Sequence, residues 1–163
     1  MGQSITSHQA ESFSTSTPAR ILVPVDGTDE SGWGPSYVLN RARTGMAIEA
    51  ILLYVAPPIR QWEVLKFRTE SEIRQFFHER ADIFLKRAAA PLLEAEVPVR
   101  SLFREIEPVQ GILAVAEELG CSEIVLPKPG CWGIFSSRLP FQVKRHSRGI
   151  PVTLVSAGGL PQG

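Results

Sequence analysis

The sequence predicts one α/β domain: a doubly wound parallel sheet with helices on both faces. Two observations predict it. Runs rich in Val, Ile and Leu are continuous rather than alternating, as strands covered on both faces require, and each stops at Pro, Asp, Gly or Ser. Between these runs lie segments with helical spacing or helix-end residues, so strand and helix alternate along the chain. The 163 residues suffice for a compact domain that needs no metal or disulfide staple.

Residues 1–19 are rich in Ser, Thr and Gln and almost free of bulky apolar groups, so they read as a disordered tail. They hold no apolar signal-peptide core. Their first residues, Met1-Gly2-Gln3-Ser4-Ile5-Thr6, fit the loose N-myristoylation pattern. The domain proper is expected over 20–157, with "AGGLPQG" running out as a tail over 158–163.

"RILVPVD" gives the first strand, about 20–25, and Asp26-Gly27-Thr28 the turn after it. The next helix reaches about Thr44. Thr28, Asp29 and Ser31 are candidate N-caps, and Gly32 and Gly34 weaken the first turn, so regular helix is expected from Pro35. "EAILLYVAPP" is the second strand, about 49–55, whereas residues 57–69 show no period. From Glu70 on, Ile73, Phe77, Ala81, Phe84, Ala88 and Leu92 recur at helical spacing, with Pro91 kinking or ending the helix.

"VPVRSLFRE" alternates and predicts a third strand, about 97–104. Pro108 then starts a helix, Gly120 caps it, and Glu105 and Glu107 read as caps or surface charge. "SEIVLPK" is the fourth strand, 139–148 a short helix and "IPVTLVS" the fifth strand.

Lys plus Arg and Asp plus Glu are both 17, so no overall charge favours nucleic acid or an anionic membrane. The apolar runs are too short to span a bilayer. Cys121 and Cys131 are too few for a disulfide framework and have no zinc-like spacing, which fits a reducing cytoplasm. His8, His78 and His146 stand in no nucleophile–base pattern, and there is no Gly-x-Ser-x-Gly elbow. The expectation is therefore a protein that is not an enzyme and uses no metal.

"ILVPVDGTDES", "EAILLYV", "EPVQGILAVAEEL", "CSEIVLPKPG" and "IPVTLVS" follow one another in an order and spacing that resemble the universal stress protein family. The resemblance covers about residues 20–157. It implies a Rossmann-like five-stranded parallel sheet in the order 3-2-1-4-5, with a ligand crevice where the order reverses between strands 1 and 4. Family members that bind ATP carry Gly-x-x-Gly, nine residues, then Gly and Ser or Thr. Here Pro127 replaces the first glycine, Gly130 matches the second, and Pro140-Phe141 replace the last pair. Sliding the frame to Gly130 and Gly133 places Val143 and Lys144 at the end instead.

Each hydrogen bond to a charged group contributes about 1.5–3 kcal/mol, so losing two or three weakens a micromolar site towards the millimolar range. The expected function is accordingly a stress-response or regulatory protein without cofactor. The alternative is a nucleotide-dependent switch holding ATP or AMP. A small flavin- or nucleotide-dependent enzyme on a related fold has no motif in its favour.

The resemblance makes Pro24, Val25, Asp26, Val55, Leu126, Gly130 and Arg138 the candidate remnant of a nucleotide pocket. Asp26 matches the family's acid after strand 1, and Val55 a residue lining the adenine pocket. Lys128, Arg138, Lys144, Arg145 and Arg148 can supply positive charge and Ser136 and Ser137 hydroxyls, but a solvated face of the last helix is the favoured reading of the basic residues. Asp26 is also suited to a turn or cap.

Strand 5 is an uncharged edge in this order. A homodimer through Ile150 to Ser156 is expected from that exposed edge, and the resemblance implies the same contact. The competing possibility, the tail folding back over the edge, is disfavoured because the tail offers little apolar surface. Regulatory protein partners are expected without being specified.

Overall fold

The computed structural model describes residues 16–58, 68–129 and 138–163. The chain alternates strand and helix as its pattern predicts. β1 is Ala19–Pro24, α1 Trp33–Arg43, β2 Ile48–Ala56, α2 Glu70–Glu94, β3 Val99–Glu105, α3 Pro108–Glu118, β4 Glu123–Pro127, α4 Leu139–His146 and β5 Val152–Ser156. A 3-10 turn over Glu30–Gly32 precedes α1, which starts two residues before Pro35. Pro35 is then the third helical residue, and its missing N–H falls among the first four, which have no partner within the helix.

α2 opens with a reciprocal cap: Thr69 accepts from the Glu72 N–H and Glu72 accepts from the Thr69 N–H. Pro91 does not stop α2, which runs on to Glu94. Glu107 caps α3 by accepting from the Val109 N–H, and Glu105 pairs with Arg74. The expectations for Gly130, Cys131, Ser136, Ser137 and the stretch 59–67 lie outside the described residues.

The sheet order is β3-β2-β1-β4-β5, all parallel. Two apolar layers cover it. Ile21, Val23, Val25, Leu52 and Tyr54 pack against Val38 of α1 and Ala81, Leu85 and Leu92 of α2. Leu22, Ile51, Leu53, Val55, Ile124 and Leu126 pack against Ile112 and Val115 of α3 and Val143 of α4. Neighbouring residues of one strand thus serve opposite layers, which is why the strand sequences are apolar throughout.

One feature departs from the expectation. A sixth strand, β6 (Leu160–Pro161), pairs antiparallel with β5 after a 3-10 turn at Ala157–Gly159. The segment over 158–163 was expected to run out as a tail because it has little apolar surface. It docks through backbone hydrogen bonds and a close steric fit instead, neither of which depends on apolar area.

Burial pushes the Cys121 thiol up from 9.0 to about 11, and burial likewise raises the phenols of Tyr37 and Tyr54. Each group is favoured in its neutral form in the folded chain, so the folded state holds protons that the unfolded chain releases. The resulting stability is complete below pH 9 and is lost as pH rises towards 11 and beyond. Urea midpoints measured at increasing alkaline pH are expected to fall through this window. A midpoint independent of pH there would refute the burial of these groups.

Candidate functional site

The sheet order reverses between β1 and β4, the place where open α/β sheets set their ligand crevice. β1 and β4 are paired only at Ile21↔Glu123 and Leu22↔Ile124. Odd residues of β1 turn towards β2, as the Val25 N–H donating to the Leu53 carbonyl shows, so Pro24 turns towards β4. Even residues of β4 turn towards β5: the Ile124 N–H donates to the Pro151 carbonyl and the Lys128 N–H to the Val155 carbonyl. Pro127 therefore turns towards β1. The next two rungs of the ladder would be N–H bonds from Pro24 to Val125 and from Pro127 to Pro24, and neither proline has an N–H. The β1–β4 pairing stops short of these two rungs.

Asp26 follows β1 at this reversal and is 6% exposed. Its Oδ1 accepts from the Thr28 backbone N–H at 2.9 Å and the Thr28 hydroxyl at 2.6 Å, an Asx-type turn that holds the carboxylate to its own loop. Gly27 completes the turn at φ +86°, with the Phe84 ring of α2 so close that an added Cβ would lie 2.4 Å from it. Only glycine tolerates both the dihedral and the ring. Phe84 belongs to a cluster with Tyr54 and Phe103, over which Arg80 and His78 lie: Arg80 is 5.1 Å from the Phe84 ring centre and His78 4.3 Å from that of Phe103. These rings close the α2 side of the turn.

The structure divides the other predicted pocket residues. Val55 and Leu126 share the layer under α3 and α4, and strand alternation places Pro24 on that face too. Val25 lies in the opposite layer with Tyr54. Val55 is 1% exposed. It lies under Gly111 of α3, where an added Cβ would be 3.3 Å from Val55 Cγ1 and 2.6 Å from Ile106 Cγ2. Gly111 thus lets α3 pack closely on Val55, a contact whose only signal in the sequence is a glycine at the fourth position of the helix. Arg138 is exposed at the N-cap position of α4 and makes no side-chain cap bond. Pro140 is buried and Phe141 is exposed.

A second polar group joins α1, β4 and β5 away from the crevice. Tyr37 donates to Glu123 Oε1 at 2.8 Å, the Thr153 hydroxyl donates to the same oxygen, and Arg41 contacts both Tyr37 and Glu123. It ties three elements together and explains why Thr153 lies in the edge strand. His146 Nδ1 lies 2.8 Å from the Gln142 carbonyl on the exposed face of α4. Among the described residues no group of His, Cys, Asp and Glu has the arrangement of a metal site, and no helix is long and apolar enough to cross a membrane.

A model of the universal stress protein family matches residues 18–138. The fold matches a universal stress protein family member from Burkholderia pseudomallei with a TM-score of 0.68 at 22% identity, over 85% of this chain and 96% of that one. A universal stress protein in complex with cAMP gives 0.65 at 19% identity, over 86% and 99% of the two chains. A family member from Arabidopsis thaliana with AMP bound gives 0.63 at 15%, over 84% and 90%. No curated protein matches the chain. Identities this low establish the common fold, whereas the family model accounts for the sequence from before β1 to the start of α4. The β1/β4 reversal of the sheet order agrees with this match, and the match makes the chain a member of the universal stress protein family.

Proposed function

We propose that this protein is a cytoplasmic stress-response regulator that works through protein contacts, without catalysis and without holding ATP in the manner of the nucleotide-binding family members. The facing prolines carry this reading. Neither Pro24 nor Pro127 has an N–H to offer at the β1/β4 reversal, where a phosphate chain needs donors. Pro140 and Phe141 also stand where the ATP-binding pattern has glycine and a hydroxyl. The Asp26 turn supports it further, since Thr28 already occupies one carboxylate oxygen. The reading includes a homodimer on the β5 edge, Ile150 to Ser156, and regulatory partners.

The second reading is a nucleotide-dependent switch. Asp26 at the β1/β4 reversal and relatives with cAMP or AMP bound favour it. Two measurements separate the readings. Purified protein is denatured and the supernatant examined for nucleotide, and melting is followed with ATP or AMP added at millimolar concentration. The expected result is no released nucleotide and an unchanged Tm. Ligand at a hundredfold excess over Kd would stabilise the fold by about 2.7 kcal/mol and raise Tm by roughly 5 °C or more. Such a rise, or stoichiometric ATP or AMP, establishes the second reading instead.

A further inference from the structure

β3 ends the sheet on the side away from β5, and its outer edge has no partner strand among the described residues. The Ala50 N–H donates to the Pro98 carbonyl and the Ile106 N–H to the Ala56 carbonyl, so even-numbered residues here turn their backbone towards β2. Val99, Ser101 and Phe103 therefore turn their N–H and C=O groups outward. The Phe103 carbonyl accepts from Arg104 Nη1 at 3.1 Å and keeps a second lone pair to offer. An open row of this kind is a template for pairing with another chain.

The two faces of this edge differ in chemistry. Val99 and Phe103 pack in the α1/α2 layer and Leu102 in the opposite one, so Ser101 also faces α2. Between these three residues and α2 runs a groove of about 600 Å³, walled by Ala89, Ala90 and Leu93. The alanines leave the room, and Leu93, 58% exposed, is a large apolar side chain without a cover. Asp82 and Lys86, farther along the same groove, pair with each other at 2.8 Å, so it favours no charge. The other face is positive. Arg100 and Arg20 share one carboxylate, Glu49, at 3.2 and 2.9 Å, and Arg104 stands 3.8 Å from Glu118.

We propose that the outer edge of β3 binds an extended segment of a partner protein as an added antiparallel strand. The segment is apolar at the residues opposite Val99, Ser101 and Phe103 and acidic at those opposite Arg100 and Arg104. Residues paired across two strands share a face, so the first set enters the groove beside α2 and the second meets the two guanidinium groups. The backbone ladder supplies affinity and the alternating side chains supply selectivity. The inference rests on the reading that this protein works through protein contacts, and it gives that contact a surface and a sequence class. A homodimer on β5 leaves this edge open.

The probe is the dye-labelled hexapeptide Glu-Val-Thr-Val-Glu-Val, titrated against the full chain by fluorescence anisotropy. Hydrogen exchange of the Ser101 and Phe103 amides is the second readout. Two control peptides each change one property: lysine replaces both glutamates, or the valines are N-methylated and lose their backbone donors. The expected result is saturable binding that protects these amides, weakened severalfold by lysine and at least about tenfold by N-methylation. Ser101→Pro removes an outward N–H without touching the bonds to β2, and should weaken binding at least about tenfold. Leu93→Gln, at an exposed position, should weaken it severalfold and decides alone if Ser101→Pro does not fold. No binding at millimolar peptide, equal binding of the N-methylated peptide, or wild-type affinity in every variant that folds overturns the inference. So does protection of the Ser101 and Phe103 amides before peptide is added. Protection that grows with protein concentration gives the edge to a second copy, and protection that does not gives it to another part of this chain. Each of these outcomes leaves the reading by protein contacts standing, which fails instead on stoichiometric ATP or AMP.

Discussion

Replacing Gly27 with valine is expected to lower folding stability by about 2–6 kcal/mol. The residue holds φ +86°, where a β-branched side chain is strained by about 1–3 kcal/mol. Its Cβ would also enter the Phe84 ring at 2.4 Å, and overpacking of this kind costs about 1–3 kcal/mol more. A domain is stable by only about 5–15 kcal/mol in total, so the urea midpoint should drop by roughly 1–3 M, or the chain should fail to fold. The two causes separate in a double-mutant cycle. Gly27→Ala should cost less in a Phe84→Ala background than in the wild type, because removing the ring relieves the collision but not the dihedral strain. An unchanged midpoint for Gly27→Val would show that Phe84 does not close the Asp26 turn.

Leu92→Ala is expected to cost about 2–5 kcal/mol, whereas Leu93→Ala should stay within about 0.5 kcal/mol of the wild type. Leu92 is fully buried in the layer formed by α1 and α2, and its carbonyl accepts from the Val97 N–H as the chain leaves the helix. Leu93, one position on, is 58% exposed. The two substitutions remove the same atoms from the same helical turn just past Pro91, so propensity effects cancel and burial remains. Parallel urea titrations decide. Equal losses for the two variants would mean that α2 does not continue past Pro91 with its apolar stripe facing the sheet.

Local pattern alone determined the five parallel strands and the helices between them. An uninterrupted apolar run such as Ile51 to Ala56 suits only a strand covered on both faces, and the Ile73-to-Leu92 repeat only a helix with one buried stripe. The departures of Pro127, Pro140 and Phe141 from the ATP-binding pattern were equally legible, because what a residue type lacks does not depend on where it folds. The extent of α2 past Pro91 was not, since the packing of Leu92 outweighs the break that proline favours.

Relations between distant residues were decided only by the tertiary structure. That Pro24 and Pro127 face each other depends on the register of β1 with β4 and on which way each strand's alternation is phased. The same phase puts Val25 on one face and Val55 and Leu126 on the other, although all three looked alike as pocket residues. Phe84 meets Gly27 only because α2 crosses the turn after β1. The C-terminal segment is the clearest case. Its glycines and proline carry no periodic apolar signal, and its place on β5 comes from a backbone ladder and from the room that Gly159 leaves for α1, which exist only once the sheet has formed.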